Sequence, residues 1–383
     1  MMDTKINPNA MLKHSILLFR LHLCVLPLMG LGFIFVSPAQ ADSLFADPDG
    51  LPALCTTLDQ LQNSAECPDA GPGGYAEQIV AAGLPYPLPP LTIEPILPYR
   101  GITPHAYAKI ITGTTPVFRH PLEAIAGFPP LRFWETGFVY VSLIGKTTFA
   151  GEDFYQINAG EFMRASDLAE ARPSSYSGQY FSTPPVHAVG WAITNVQPSP
   201  APGAAPDPNA AWLGRYSPIE IYETQFVEGF FWYLIGPGQW IEQRTMAKVE
   251  PHPSAGAPGD SIVVDTYEQT MGVYRGGGLV MATLISSGSR YFPTQTGTFQ
   301  VWAKFTHGRM TGAYFDDRRD YYFLEDVPWI LYYDGDRALH GAYWHDRFGA
   351  KSSHGCVNLS PRDARWLYNN VPMGETVVVF ASQ

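Results

Sequence analysis

Glycine and proline interrupt this chain so often that short strands and tight turns are favoured over long helices. The sequence contains 36 glycines and 35 prolines in 383 residues, well above their usual share. Proline fixes φ and removes a backbone donor, and glycine favours turns. The 22 phenylalanines, 21 tyrosines and 9 tryptophans suit the half-buried surface of a sheet. The sequence therefore predicts a mainly β protein.

Composition also limits the class of protein. With 46% hydrophobic residues the chain can build sizeable cores, and its length allows two or three domains. The formal net charge is −11, and residues 1–41 carry +2, so the remainder is near −13. No basic patch is present of the kind that nucleic acid requires. We therefore expect no nucleic-acid partner.

The N-terminus resembles a secretory signal. A weakly positive start is followed by the hydrophobic run Leu21 to Val36 and by Ala39-Gln40-Ala41, a small-x-small cleavage pattern. We predict that residues 1–41 are a signal peptide cleaved after Ala41, which places the protein outside the cytoplasm. The alternative is an uncleaved anchor, but the run is shorter than the roughly 20 residues that span a bilayer. Extending it upstream takes in Arg20, which is costly at membrane depth.

The organisation after the signal is predicted from composition. No later segment is apolar enough to span a membrane, so we expect no transmembrane segment after cleavage. Residues 42–104 are a lead-in rich in Pro and Gly, in which Cys55 and Cys67 are expected to pair in an oxidising compartment. The Pro/Gly-rich residues 251–260 predict a linker, and residues 261–383 form the last domain.

Residues 105–250 contain an internal repeat. The ten residues from Phe154 to Met163 align with those from Trp232 to Ile241. Both segments read as a strand, a tight glycine turn and a second strand. Such repeats resemble bacterial SH3-like wall-binding modules, and we predict two of them. The alternative is a pair of similar hairpins within one β-domain.

Cysteine usage singles out Cys356. If Cys24 is removed with the signal and Cys55 pairs with Cys67, Cys356 is left unpaired. An odd cysteine in a secreted protein is a reactive thiol or an intermolecular partner, although a buried, inert cysteine is the alternative. His340 and His354 precede it, and a nearby imidazole can generate the thiolate nucleophile.

The residues around this thiol resemble a known signature. His340-Gly341, followed by Ser353-His354-Gly355-Cys356-x-Asn358, resembles the L,D-transpeptidase catalytic domain of the YkuD type. Ser286-Ser287-Gly288 and the segment from Pro293 to Phe299 resemble further landmarks of that family, with Gln295 where the family usually has proline. The resemblance implies a β-sandwich or barrel-like domain with one or two short helices, preceded by the SH3-like modules.

The resemblance also implies roles for individual residues. Cys356 would be the nucleophile that attacks a stem tetrapeptide, releases D-alanine and forms a thioester. His340 would be the general base and acid, with the carbonyl of Gly341 orienting its ring. The backbone N–H groups of Gly355 and Cys356 are candidates to stabilise the oxyanion.

Four further residues are expected to shape the substrate site. Tyr322, with Tyr321 as its rival, would be contributed by a lid over residues 306–327. His354 would shape the pocket, Ser353 would fix the loop, and Asn358 would hold the loop or the donor peptide. The resemblance implies no cofactor and no metal. Its implied partners are peptidoglycan stem peptides and carbapenem-type inhibitors, at the cell wall in the periplasm or on the cell surface.

Three alternatives remain open. His340, His345, His354 and Cys356 are all able to ligate zinc. An inactive wall-binding scaffold is a second reading. Within the enzyme class the acceptor is a second stem peptide, a protein amine or water, and the last of these would make the protein an L,D-carboxypeptidase.

Overall fold

The computed structural model describes residues 71–254 and 256–382. The predicted signal segment and the predicted Cys55–Cys67 pair lie outside these residues. Within them, no helix has both the length and the apolar character needed to cross a membrane. Residues 78–383 form one compact unit.

Among the described residues, the α-helices are few and short. They are α1 (Gly71–Ala81), α2 (Pro121–Ala126) and α3 (Pro361–Asn370). The predicted helix at residues 361–370 is α3. Pro361 occupies its first turn, and Ser360 caps it by accepting a hydrogen bond from the backbone N–H of Asp363 at 3.2 Å. Proline at this position loses no intrahelical bond, so the local sequence suffices to start the helix.

Strands make up most of the regular structure, which confirms the prediction of a mainly β protein. In chain order they are β1 (Glu94–Pro95), β2 (Ala106–Ile110), β3 (Thr115–Val117), β4 (Arg132–Trp134), β5 (Phe138–Leu143), β6 (Gly145–Phe149), β7 (Glu152–Asn158), β8 (Glu161–Arg164), β9 (Leu168–Glu170), β10 (Gln179–Tyr180), β11 (Ala188–Ala192), β12 (Pro218–Ile221), β13 (Glu223–Val227), β14 (Phe230–Gly236), β15 (Gln239–Glu242), β16 (Met246–Val249), β17 (Ser261–Asp265), β18 (Thr270–Arg275), β19 (Gly278–Leu284), β20 (Gly297–Gln300), β21 (Ala303–Gly312), β22 (Tyr322–Asp334), β23 (Arg337–Gly341), β24 (Val357–Leu359) and β25 (Thr376–Phe380).

Two large sheets enclose the apolar core of the C-terminal part of the chain. One has the strand order β10-β19-β18-β17-β25-β20, with β25 lying between β17 and β20. The other has the order β24-β23-β22-β5-β2-β9, and β21 pairs with β22. Fully buried residues of both sheets and of α3 pack into one apolar cluster that includes Ile262, Met281, Leu339, Leu367 and Val379. This core holds β23 and β24, which carry the candidate site.

The second large sheet crosses the predicted boundary between domains. β5 pairs in parallel with the start of β22, with Phe138 opposite Tyr322 and Tyr140 opposite Leu324. β2 and β9 continue the sheet on the far side of β5. The predicted linker, residues 251–260, lies between β16 and β17. Residues from either side of it thus share one continuous hydrogen-bonded sheet.

The two segments of the internal repeat fold into similar hairpins. β7 and β8 are joined by a turn with Gly160 at a φ of +70°, and β14 and β15 by one with Gly238 at +63°. Each hairpin is followed by a single 3-10 turn, Ala165–Asp167 or Gln243–Thr245, and then by β9 or β16. The smaller sheets, β1-β6-β7-β8, β12-β11-β16, β13-β14-β15 and β3-β4, complete this region. The SH3-like assignment stays a prediction.

Candidate active site

His340 lies near the end of β23 and is almost fully buried. Its Nδ1 is 3.4 Å from the carbonyl oxygen of Gly341, so the proton on Nδ1 is directed there and Nε2 is left as the basic nitrogen. Burial lowers the pKa of His340 to about 4. Because the charged form is disfavoured, the ring is neutral at physiological pH.

Gly341 is closely packed. A Cβ at this position would meet Pro328 at 3.0 Å and Pro361 at 3.2 Å. The chain therefore passes closely between a strand and the start of α3, and a side chain here would require these neighbours to shift by a few tenths of an ångström. This tight passage fixes the backbone carbonyl that contacts His340.

Cys356 ends a loop that hydrogen bonds hold in place. The Ser353 hydroxyl donates to the carbonyl of Cys356 at 2.5 Å and accepts from the Gly355 N–H at 3.1 Å. The Thr294 hydroxyl donates to the carbonyl of Gly355 at 2.9 Å. Gly355 itself has a φ of +118°, a conformation that strains any other residue. Hydrogen bonds thus hold both the N–H and the carbonyl of Gly355, the residue that precedes Cys356.

The Cys356 thiol is a neutral group in this setting. The residue as a whole is partly exposed, but burial of the thiol raises its pKa to about 11, and the nearby Asp336 carboxylate adds to the rise. A backbone hydrogen bond from Ala338 and the charge of Arg337 act in the opposite direction. Sγ also lies 4.0 Å from the carbonyl of Asp336. Thiol and imidazole are therefore both uncharged at neutral pH.

His354 is enclosed by aromatic rings. Its ring stacks on Phe292 with centroids 4.5 Å apart, lies parallel to Tyr314 at 5.7 Å and packs against Tyr322 at 5.1 Å. Burial lowers the pKa of His354, while the Asp320 carboxylate, 3.9 Å from its Nε2, opposes this shift. The ring forms part of the wall of the site.

Asn358 joins two elements of the site. Its backbone exchanges two hydrogen bonds with Ser286, at 2.9 and 3.0 Å, and its side-chain amide lies 3.0 Å from Nε2 of His345. The backbone N–H of Arg347 donates to Nδ1 of His345 at 3.1 Å. Both ring nitrogens of His345 therefore have a polar neighbour, and the contact with Asn358 is made by its amide nitrogen Nδ2.

One cavity of about 630 Å³ collects these side chains. Most of the predicted site residues line it: His340, Ser353, His354, Cys356, Asn358 and both rival tyrosines, Tyr321 and Tyr322. Gly341 and Gly355 act through the backbone beside it. The predicted lid region is a hairpin of β21 and β22, and Asp320, Tyr321 and Tyr322 lie where its second strand begins.

Several residues of the site were not predicted from the sequence. Phe292 and Tyr314 pack on His354. His345, which the sequence singled out only as a residue able to ligate zinc, lines the cavity. Phe292 is adjacent to the Pro293 landmark, and this position is the one signal that pointed to it. Lys109, Phe138 and Tyr140 line the same cavity from β2 and β5, and no local pattern indicates this.

The arrangement places a thiol, an imidazole and hydrogen-bond donors around one cavity. Burial raises the pKa of Tyr322 well above its usual range, with a contribution from Cys356, so its hydroxyl stays a donor. The metal-capable group found in the part of the chain that the structure describes is His105, His307 and Asp326, which lies apart from this cavity. The chemistry available here is acyl transfer through a thiol.

Comparison with known proteins agrees with this chemistry. The family model of the L,D-transpeptidase catalytic domain, YkuD, matches residues 259–379. L,D-transpeptidase 2 of Mycobacterium tuberculosis is 29% identical over 131 residues, which are 32% of this chain and 31% of that protein. The chain thus spans about a third of the length of this curated relative.

Two solved structures are similar to about a third of the chain. The catalytic domain of an Enterococcus faecium L,D-transpeptidase acylated by ertapenem is 32% identical, covering 33% of this chain and all of that one, with a TM-score of 0.29. A crystal structure of a mutant E. faecium L,D-transpeptidase is 28% identical, covering 32% of this chain and 50% of that one, with a TM-score of 0.30. Together with the site geometry, the family match identifies residues 259–379 as an L,D-transpeptidase catalytic domain of the YkuD family.

Proposed function

We propose that this protein is a peptidoglycan L,D-transpeptidase that uses Cys356 as its nucleophile. The observation that carries the proposal is the placement of Cys356 and His340 on one cavity, with an uncharged thiol facing the same space as an uncharged imidazole. The predicted signal peptide supports action outside the cytoplasm, at the cell wall. No cofactor is needed for acyl transfer by a thiol.

The first half of the reaction forms a thioester. Nε2 of His340 takes the thiol proton as Sγ attacks the carbonyl that precedes the terminal D-alanine of a donor stem tetrapeptide. His340 then returns this proton to the amine of D-alanine as the C–N bond breaks. In the second half, His340 takes a proton from the acceptor amine, a new amide forms, and the thiol is regenerated by the same proton.

The oxyanion of each tetrahedral intermediate requires donors. The Gly355 N–H already donates to Ser353 in this structure, so its main contribution is to hold the loop. We assign the donor role to the Cys356 N–H and to the hydroxyl of Tyr322. Asn358, held by His345, lines the cavity on the side of the donor peptide.

The test is intact mass of the protein after incubation with a carbapenem, beside Cys356→Ala. We expect a single adduct on the wild-type protein and none on the variant, with both proteins equally folded by circular dichroism. An adduct that persists in Cys356→Ala would contradict the assignment. The absence of an adduct on the wild-type protein, when a thiol reagent shows that Cys356 is free, would also contradict it.

The same preparations then receive a stem tetrapeptide, and the products are separated by mass. Release of D-alanine with a cross-linked dimer identifies a transpeptidase. Release of D-alanine with a free tripeptide alone identifies water as the acceptor, and the protein would then be an L,D-carboxypeptidase. His340→Gln is expected to suppress both products because it cannot accept the thiol proton.

A further inference from the structure

Two histidines and an aspartate, none of which lines the active-site cavity, meet at one place. His105 lies just before β2, His307 is on β21 and Asp326 is on β22. One ligand atom from each of the three side chains lies within 4.8 Å of the others. Three segments that are far apart in the sequence therefore bring metal-capable groups to one point.

The distances are close to those of a metal site. Nδ1 of His307 is 3.0 Å from Oδ1 of Asp326, and the rings of His105 and His307 meet edge to face, with centroids 5.6 Å apart. Ligands on a tetrahedral zinc ion with bonds of about 2.0–2.1 Å are about 3.3 Å from one another. Changes of up to about 1.5 Å in the separations of the ligand atoms therefore suffice to place one ion between the three groups.

The carboxylate is held in the orientation that a ligand needs. The Ser142 hydroxyl donates to Oδ2 of Asp326 at 2.7 Å, which leaves Oδ1 directed at the histidines. The Tyr107 hydroxyl donates to the backbone carbonyl of Asp326 at 2.8 Å, and Asp326 has a φ of +46°. Hydrogen bonds of this kind orient the ligands of known metal sites.

The donor set selects the class of ion. Two imidazoles and one carboxylate suit zinc, whereas calcium and magnesium favour sites built from oxygen ligands. Three protein ligands leave a fourth position for water or another small ligand. A cavity of about 420 Å³, lined in part by His105, Ser142 and Asp326, opens beside the cluster and provides room for it.

We propose that His105, His307 and Asp326 bind one Zn²⁺ ion, which fastens the start of β2 to the β21–β22 hairpin. The site is separate from the proposed transpeptidase chemistry and does not depend on it. Zinc would link residues on either side of the predicted 251–260 linker. Its effect is therefore expected on stability first, since an ion that binds the folded protein alone raises its unfolding temperature.

The experiment is a zinc titration of the full protein, purified without a histidine tag and stripped with a chelator. We expect uptake of one equivalent, a higher unfolding temperature and, with Co²⁺ as a probe, the visible absorption of a tetrahedral ion. His105→Ala and His307→Gln should weaken binding at least tenfold. Ser142→Ala, which removes only the hydrogen bond to the carboxylate, should weaken it by about tenfold.

Two controls locate the binding. His187 pairs with Glu220 at 2.8 Å on the surface and has a side-chain exposure of 41%, close to the 49% of His307, so His187→Ala should leave uptake unchanged. Cys356→Ala should also retain one equivalent, which excludes binding at the thiol. No uptake by the wild-type protein, or equal uptake by the folded His105→Ala and His307→Gln variants, overturns the proposal.

Discussion

His340 and Cys356 lie in surroundings that oppose charge on either group. The pKa of His340 is lowered to about 4 and that of Cys356 is raised to about 11, so proton transfer between them leads from the neutral pair towards the ion pair. At neutral pH, in the absence of substrate, the thiol of Cys356 therefore stays protonated. Under the proposed function, the thiolate would form only when the substrate carbonyl is present to take up the developing negative charge.

The pH dependence of acylation follows from these shifts. Below about pH 4 His340 is protonated and cannot act as a base, so the rate should fall. Between about pH 5 and pH 9 both groups stay neutral and the rate should be nearly constant. Towards pH 11 the thiolate forms without assistance and the rate should rise. Stopped-flow measurement of carbapenem acylation across this range checks the profile.

The variant His340→Gln provides the control for this profile. It should lose most of the rate on the plateau but keep the rise at high pH, because free thiolate needs no base. A thiolate absorbance that titrates below pH 7 and is absent in Cys356→Ala would contradict a neutral resting pair.

At the same scale, the sequence identified the residues of the motif but not their neighbours. His340, His354 and Cys356 are recognisable because their types and spacing carry the chemistry. Phe292 and Tyr314 touch His354 only because separate loops converge on it. Aromatic residues are common throughout this chain, so nothing local marks these two.

Among the structural elements, the loop before Cys356 depends on Gly355. Its φ of +118° is strained for any residue with a Cβ, and a Cβ there would lie 3.2 Å from Nε of Arg337. We expect Gly355→Ala to lower the acylation rate at least about tenfold, since the strain of roughly 1 kcal/mol or more is relieved by moving the thiol. Carbapenem acylation and thermal unfolding, measured on one preparation, check this.

Gly374 is the matched control for that substitution. It also has a positive φ, +81°, but no atom lies within 4 Å of the Cβ it would gain, and it lies outside the cavity. Gly374→Ala should therefore cost a similar amount of stability and leave acylation unchanged. Equal losses of rate in the two variants would show that the loop before Cys356 has no special role.

Elements with local signals were predictable, and their pairing was not. Helix α3 follows from Ser360 and Pro361, and the repeat hairpins follow from glycine turns between alternating apolar residues. The parallel pairing of β5 with β22 depends on burial shared by strands from distant parts of the chain. A local pattern carries no information about such partners.

At the scale of the whole molecule, the sheet β24-β23-β22-β5-β2-β9 contains strands from both sides of the predicted 251–260 linker. Its earlier strands give the active-site cavity a wall from outside residues 259–379, which match the family. Lys109, Phe138 and Tyr140 line it from β2 and β5, and Nζ of Lys109 lies 5.3 Å from the centre of the Phe138 ring. A stem peptide ends in a carboxylate, and Lys109 is a cation among the residues that line the cavity. The earlier strands therefore contribute to substrate binding under the proposed function.

We expect Lys109→Ala to lower kcat/KM for a stem tetrapeptide about fivefold, the equivalent of about 1 kcal/mol for a partly exposed ion pair. The same peptide with an amidated C-terminus should show little change between wild type and variant. Lys146→Ala, which changes a partly exposed lysine on β6 that does not line the cavity, is the control. A loss of equal size for both peptides would argue against a charge contact.

The position of β25 has a consequence for how the chain folds as it is made. Synthesis runs from the N-terminus, yet β25 lies between β17 and β20 and pairs in parallel with β17, which is made more than a hundred residues earlier. The place between β17 and β20, next to one edge of that sheet, can therefore be filled only after β25 has been made. During translation, the edges of β17 and β20 that face β25 stay unpaired. The sheet of the catalytic domain is complete only after β25 is available.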